Sequence, residues 1–301
     1  MWKPSFCIGV DAIDYQYEAL FILIKDMMTE FCDNITMTEQ QYISIFSTLK
    51  EQILRHFADE EAYLKSISFT GLEAHKEQHA EFIDMILDNE IRIKDKKYTV
   101  KNAKFFAGSL VTWFLFHVAN TNPQYTLETE KVTQQADPMD LTYLTICNVF
   151  EKLAGLNIKK IENHSETFSE VSNIFMGIVG DMSGYISIAY PGFLVDDLVF
   201  VMLNYKPLIS DEFVMSSILE VTKIIGNLVA QQISKDKDVS LRMGTPVCVR
   251  RYETPTPGSE RLALDTGMGI IEVEVHVSPI PSEEAFQTFL DEKTREIQLI
   301  S

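Results

Sequence analysis

The chain has 301 residues, of which 46% are hydrophobic, and its 44 acidic against 26 basic side chains give a net charge of −18 at pH 7. This charge argues against nucleic acid as a partner, because an acidic surface repels phosphate backbones. A chain of this length exceeds what one small core organises, so we expect two domains.

The sequence also bears on location. No continuous apolar run reaches the roughly 18 residues that a membrane span takes, and the first residues lack the apolar core of a secretion signal. We therefore expect a cytoplasmic protein with no membrane partner. The cysteines form no Cys-x-x-Cys pair, so we expect them to be buried, unpaired thiols in a reducing compartment. They are Cys7, Cys32, Cys147 and Cys248.

Apolar residues recur at helical spacing in four segments of the first half, at residues 14–31, 38–64, 72–88 and 100–118. Helices of this length joined by short turns predict an all-α, antiparallel four-helix bundle, which we place at residues 1–130. Residues 120–140 are polar, contain Pro123 and Pro138 and show no apolar stripe, so they predict a linker.

The pattern changes after this linker and predicts an α+β domain over residues 140–301. Helices are expected at residues 141–153, 194–204 and 212–233. Strands are expected at residues 175–179, 185–190, 247–251, 261–264 and 270–277. The fold class is therefore multidomain, a four-helix bundle followed by an α+β domain.

The histidines of the predicted bundle have the spacing of metal ligands. His56 with Glu60, and His75 with His79, are each four residues apart and so lie on one face of a helix. His117 follows on a further apolar helix. Imidazole and carboxylate donors suit iron, manganese or zinc. The pattern predicts a metal site inside the bundle.

These residues resemble the bacterial hemerythrins in order and spacing. The resemblance covers about residues 2–125 and includes the segments 13–17, 56–61, 73–82 and 113–122. It implies a non-heme di-iron centre. His75, His79 and His117 would bind one iron, His56 would bind the other, and Glu60 would bridge the two.

Two positions depart from that family. Tyr17 stands where the family has a histidine, and Asn122 stands where it has a bridging aspartate. Asn122 is a neutral amide and bridges two cations poorly. Two interpretations of Tyr17 are possible, and we carry both as readings of this position. In the first, Tyr17 ionises and binds ferric iron as a phenolate. In the second, it fills the space with its hydroxyl hydrogen-bonded, and the second metal position is weak or empty. We expect iron, with a di-iron centre in which one position is weak.

The second half resembles the CheX/CheC chemotaxis phosphatases over about residues 140–290. Ser216, Glu220 and Pro246 keep the spacing of that motif, but Lys223 stands where the family has asparagine. The resemblance implies that the glutamate anchors the phosphorylated regulator and that the asparagine orients the attacking water. A lysine ammonium offers donors and no acceptor. Glu220 and Lys223 are thus the candidate catalytic residues of a degenerate motif, or an exposed ion pair within one helix.

Three functions follow from these patterns. The first is an iron-containing sensor of O2, redox state or iron, coupled to a domain that binds the receiver domain of a CheY-like response regulator. The second is an enzyme, a phosphatase of that regulator controlled by the bundle. The third is a non-catalytic scaffold. We prefer the sensor, because the water-orienting asparagine is missing while the metal-ligand spacing is kept. Whether the chain forms a homodimer stays open.

Overall fold

The computed structural model describes residues 6–33, 37–95, 98–121, 137–161, 171–204, 210–250 and 258–278. The chain divides into two compact units. One comprises Met1–Thr126 with Leu203–Ser216, and the other comprises Leu127–Met202 with Ser217–Ser301. Each is described below by itself.

The first unit contains the expected four helices, α1 (Asp11–Asp33), α2 (Glu39–Ser66), α3 (Leu72–Lys94) and α4 (Val100–Thr121). Helices α1 and α3 both pack against α2 and α4, which closes a four-helix bundle as predicted. Helix α2 begins with a capping box, in which Thr38 accepts a hydrogen bond from the Gln41 backbone and the Gln41 side chain accepts one from the Thr38 backbone.

One stripe of each helix forms the bundle core. The stripe on α2 contains Tyr42, Phe46, Leu49, Ile53, His56, Phe57, Glu60 and Leu64, all buried. The stripe on α3 contains His75, His79, Phe82, Ile86, Asn89 and Ile93. Residues spaced three and four apart share a helix face, so the histidines and Glu60 occupy positions that apolar residues fill elsewhere along the same stripe.

The second unit combines helices with an antiparallel sheet, as expected. Its helices are α5 (Pro138–Ala154), α6 (Gly192–Leu203) and most of α7 (Asp211–Lys237). Helix α5 starts at the Asp137 cap and ends at Gly155, whose φ of 69° suits a residue without Cβ.

Among the described residues, seven strands form the sheet. They are β1 (Lys159–Ile161), β2 (Val171–Gly180), β3 (Ser183–Pro191), β4 (Leu241–Met243), β5 (Val247–Arg250), β6 (Glu260–Asp265) and β7 (Ile270–Ser278). Their order is β1-β6-β7-β3-β2-β4, and β5 pairs with β2 beside β4. Strands β1 and β4 escape sequence prediction because each has only three residues, too few to show alternation.

Helix α7 bears on the membrane expectation. Among the described residues it is long and apolar enough to cross a membrane, although it contains no unbroken apolar run of that length. However, 72% of its most apolar window is buried inside the protein. Packing in the interior accounts for that composition.

The cysteines also differ from expectation. Cys248 is buried, but Cys147 is half-buried and Cys7 is exposed, because Cys7 precedes α1 and lies outside the helix cores. None of these three forms a disulfide with another described cysteine. The Cys32 side chain lies outside the described residues.

Candidate metal centre

Buried polar side chains from all four helices of the bundle meet at one point. Glu60 comes from α2, His75 and His79 from α3, and His117 from α4. The ligand atoms of these residues lie within 4.8 Å of one another, and each residue is buried. His56 on α2 and Tyr17 on α1 are buried beside them.

Glu60 Oε2 is the centre of this cluster. It lies 3.2 Å from His75 Nε2, 3.3 Å from His79 Nε2 and 3.3 Å from His117 Nε2. The Nε2 atoms of His79 and His117 are themselves 3.3 Å apart. Two donors that bind one ion at about 2.0–2.1 Å lie about 3.0–3.4 Å from each other at right or tetrahedral angles. The spacing therefore suits a single small cation held by three nitrogens and one oxygen.

Hydrogen bonds orient two of the imidazoles toward that point. His79 Nδ1 donates to Glu61 Oε1 at 2.7 Å, so its Nε2 directs a lone pair at the cluster. His56 Nδ1 lies 3.0 Å from the amide oxygen of Gln16, which accepts its proton. The Gln16 amide nitrogen donates to Asp59 at 2.7 Å, and this fixes the amide orientation. Such partners are typical of histidines that bind metals.

The charge state of the cluster also suits a cation. Burial lowers the pKa of His56 to about 4 and that of His117 to about 3, so both rings are neutral at pH 7. Burial by itself raises the pKa of Glu60, but hydrogen bonds with the surrounding histidines, His117 first, outweigh it and hold the pKa well below its usual range. The cluster thus combines the neutral imidazoles of His56 and His117 with one buried carboxylate.

The surroundings of the buried His56 Nε2 atom also bear on metal binding. His56 Nε2 has no hydrogen-bond partner among the described residues and lies 3.7 Å from Glu60 Oε2. An unsatisfied buried polar atom is costly, and a cation that accepts its lone pair removes the cost. The residues present therefore fit a bound metal, and imidazole with carboxylate is a donor set for iron, manganese or zinc.

Aromatic rings enclose the cluster. Phe57 stacks on His79 with ring centroids 3.7 Å apart, and Trp113 stacks on His117 at 4.8 Å. The tilted Tyr17 ring lies 4.4 Å from His56. As expected, Trp113 and its neighbours Phe114 and Phe116 are buried in the core. These rings keep water from the donors and limit rotation of the imidazoles.

The structure brings together six of the proposed ligand residues, namely Tyr17, His56, Glu60, His75, His79 and His117. The Tyr17 hydroxyl donates to Glu60 Oε1, the hydrogen bond expected for the second of its two readings. Asn122, the remaining candidate, lies outside the described residues.

The sequence offered little warning of the groups that orient His56. Gln16 precedes Tyr17 and Asp59 precedes Glu60 in the chain, yet the sequence spacing of neither residue distinguishes it from its neighbours. Glu61 follows Glu60 in the chain, and its hydrogen bond to His79 Nδ1 orients that imidazole.

The candidate residues of the motif from Ser216 to Pro246 lie on and beyond α7. Glu220 Oε1 is 3.4 Å from Lys223 Nζ, so the expected pair within the helix forms. It is not the exposed pair that the sequence suggested. The Glu220 side chain is 7% exposed and that of Lys223 is 34% exposed, because α7 is buried along most of this stretch. Ser216 is buried and its hydroxyl donates to the Phe213 carbonyl. Pro246 directly precedes β5.

Comparison with known proteins places the first unit in a family. Bacteriohemerythrin of Clostridium acetobutylicum is 31% identical over 130 residues, which cover 42% of this chain and 97% of that protein. The chain belongs to the bacteriohemerythrin family. The hemerythrin region is also similar to the myohemerythrin of Theromyzon tessulatum, at 25% identity over 124 residues, or 41% of this chain and 88% of that one. No family model matches the chain.

The region that follows the hemerythrin bundle is similar to solved CheX structures. The chemotaxis protein CheX of Vibrio vulnificus is 18% identical, with a TM-score of 0.42, over 48% of this chain and 100% of that chain. The CheX-CheY-BeF3-Mg complex of Borrelia burgdorferi matches at 18% identity and a TM-score of 0.40, over 48% of this chain and 99% of the other.

Proposed function

We propose that this chain is a cytoplasmic sensor whose bundle, residues 1–130, binds iron and whose α+β domain, residues 140–301, binds the receiver domain of a CheY-like response regulator. The signal is O2, the redox state or iron itself. The observation that carries the proposal is the buried cluster of Glu60 with three imidazole nitrogens at 3.2–3.3 Å. Membership of the bacteriohemerythrin family supports iron as the ion.

His75, His79, His117 and Glu60 would hold the ion, with His56 beside them. Iron supplies a redox-active cation that also has affinity for O2. The residues of the chain supply three imidazoles, a buried carboxylate and a ring of aromatic side chains that excludes water.

Glu60 gives this centre a means of affecting the whole bundle. Its two oxygens contact Tyr17 on α1, His75 and His79 on α3, and His117 on α4, while its backbone belongs to α2. A change of ion charge or occupancy at Glu60 therefore acts on all four helices. In a buried site such a change is weakly screened, so its effect on helix packing is strong. This arrangement supports a sensing role over simple storage or carriage.

The iron proposal is tested by elemental analysis and optical spectra of protein purified with and without air. We expect iron in the wild type and a large loss of it in His79→Ala, because that change removes one of three imidazoles. His276→Ala, which removes a histidine of β7 in the other unit, is the control and should leave the iron content unchanged. A wild type that stays metal-free after anaerobic reconstitution would contradict the proposal. Zinc in place of iron would contradict the redox role.

For the second domain, the motif spacing of Ser216, Glu220 and Pro246 supports regulator binding. Phosphatase activity is the competing function. Lys223 argues against phosphatase activity. Its ammonium lies 3.4 Å from Glu220 Oε1, and an ammonium cannot accept a proton from the attacking water. We therefore propose binding with poor dephosphorylation. A scaffold without either activity is the remaining alternative.

The assay follows loss of phosphate from a receiver domain phosphorylated on its aspartate, with binding measured in parallel. We expect wild-type binding with slow dephosphorylation, and an increase of about a hundredfold in Lys223→Asn, because an amide can position the water. Lys235→Asn, on an exposed part of the same helix, is the matched control and should not change the rate. Rapid wild-type turnover that Lys223→Ala abolishes would instead make Lys223 catalytic. Absence of binding would favour the scaffold.

A further inference from the structure

We infer that this centre is built for one ion per chain and that Tyr17 is the residue that removes the second position. The inference rests on the proposed metal site and concerns how many ions that site holds. Tyr17 acts here as a positioning residue and not as a ligand.

The first argument is the use of the two Glu60 oxygens. A carboxylate bridges two ions by giving one oxygen to each. Here Oε2 faces the Nε2 atoms of His75, His79 and His117, but Oε1 accepts the hydroxyl proton of Tyr17. A proton thus occupies the direction in which a second cation would have to lie.

The second argument is the number of donors on the Tyr17 side. Among the described residues, His56 is the imidazole available there in addition to the three of the cluster. Its Nε2 lies 3.7 Å from Glu60 Oε2, the oxygen already directed at the other imidazoles, and His56 falls outside the compact group of four ligand residues. A second ion would therefore have one imidazole as a possible ligand on this side, together with a phenol whose hydroxyl is already hydrogen-bonded to Glu60.

The third argument is charge. Among the described residues, Glu60 is the fully buried carboxylate of the cluster, and Tyr17 and the four surrounding histidines add no carboxylate to it. The carboxylate of Glu61 is partly exposed and binds His79 Nδ1. One divalent ion leaves a single uncompensated positive charge beside Glu60, whereas two would leave three. Each uncompensated charge in a buried site carries a large desolvation cost.

Packing holds Tyr17 in this role. The side chain is fully buried, and its ring lies 4.4 Å from His56 and 6.2 Å from Phe114 between centroids. It has no room to swing away when an ion binds. Its hydroxyl consequently keeps Glu60 turned so that Oε2 faces the three imidazoles.

The test is the ratio of iron to chain after anaerobic reconstitution with excess ferrous iron, for the wild type, Tyr17→His and Tyr17→Phe. We expect about one ion in the wild type and about two in Tyr17→His, which frees Glu60 Oε1 and adds an imidazole. Tyr17→Phe, the matched control, removes the hydroxyl without adding a donor and should stay at about one. Circular dichroism of each variant verifies that the bundle is folded.

Electron paramagnetic resonance of the oxidised proteins gives a second readout. The wild type and Tyr17→Phe should show the signal of an isolated high-spin ferric ion and the same visible spectrum, since Tyr17 is not a ligand. Two ions in the wild type, a visible band lost in Tyr17→Phe, or a folded Tyr17→His that stays at one ion would each overturn the inference. Absence of metal from every variant would instead contradict the proposed iron site.

Discussion

The hydrogen bond between His79 and Glu61 should set much of the metal affinity. Glu61 Oε1 accepts from His79 Nδ1 at 2.7 Å and so holds the ring with its Nε2 toward the centre. Loss of such a partner weakens metal binding by about 10- to 100-fold in known sites. The Glu61 side chain is 31% exposed, so water replaces part of the lost bond. We therefore expect Glu61→Ala to raise the dissociation constant by about 10- to 30-fold, or about 1.4–2.0 kcal/mol.

This effect is measurable by anaerobic competition for ferrous iron with a coloured chelator. Glu73→Ala is the control, because Glu73 is an exposed carboxylate on α3 whose partner is Lys76 rather than an imidazole. Glu61→Gln should fall between the wild type and Glu61→Ala, since the amide oxygen still accepts the proton but lacks the charge. If Glu61→Ala and Glu73→Ala have the same affinity within about twofold, the orienting role of Glu61 is wrong.

Two further predictions concern stability of the α+β unit, measured by chemical denaturation. Gly180→Ala should lower the free energy of unfolding by at least about 2 kcal/mol, because the φ of Gly180 is +135° and the added Cβ would lie 2.1 Å from the Ser240 carbonyl oxygen. Gly258→Ala is the control. Gly258 also has a positive φ but has open space around it, so this change should lower the free energy of unfolding less. Lys152→Met should raise stability by about 1 kcal/mol at pH 7 after allowance for solvent. Burial lowers the pKa of Lys152 to about 8, so wild-type stability should rise with pH between about 8 and the ordinary lysine pKa of about 10.4, and the variant should lose that rise.

Helical periodicity was enough to predict the bundle, because each helix must bury one stripe. The predicted helix at 72–88 begins where α3 begins, but α3 continues to Lys94. Its last turns bury Asn89 and Ile93, and a buried asparagine breaks the apolar pattern on which the prediction relied. Helix ends are therefore less predictable than helix existence.

The residues of the candidate metal centre were predictable for a different reason. His56 with Glu60 and His75 with His79 have the spacing of one helix face, and that spacing is visible in sequence. The partners of these ligands were not. Gln16 meets His56 only because α1 and α2 pack together, and the contact of Tyr17 with one oxygen of Glu60 depends on side-chain rotation. Such details follow from packing between helices and produce no periodic pattern in the sequence.

The reciprocal hydrogen bonds between Tyr42 and Asn89 have a consequence for the lifetime of the protein without its ion. Tyr42 donates to Asn89 Oδ1 at 3.0 Å, and the Asn89 amide donates back at 2.7 Å. Tyr42 precedes His56 by 14 residues on α2, or about 21 Å along the helix axis. The alignment of α2 with α3 is thus fixed far from the histidines. A zinc finger unfolds when its metal dissociates, whereas this bundle retains hydrogen bonds between α2 and α3 that do not involve the candidate metal site. Loss of a bound ion would leave a folded protein ready to bind another, so the proposed site would survive many cycles of gain and loss.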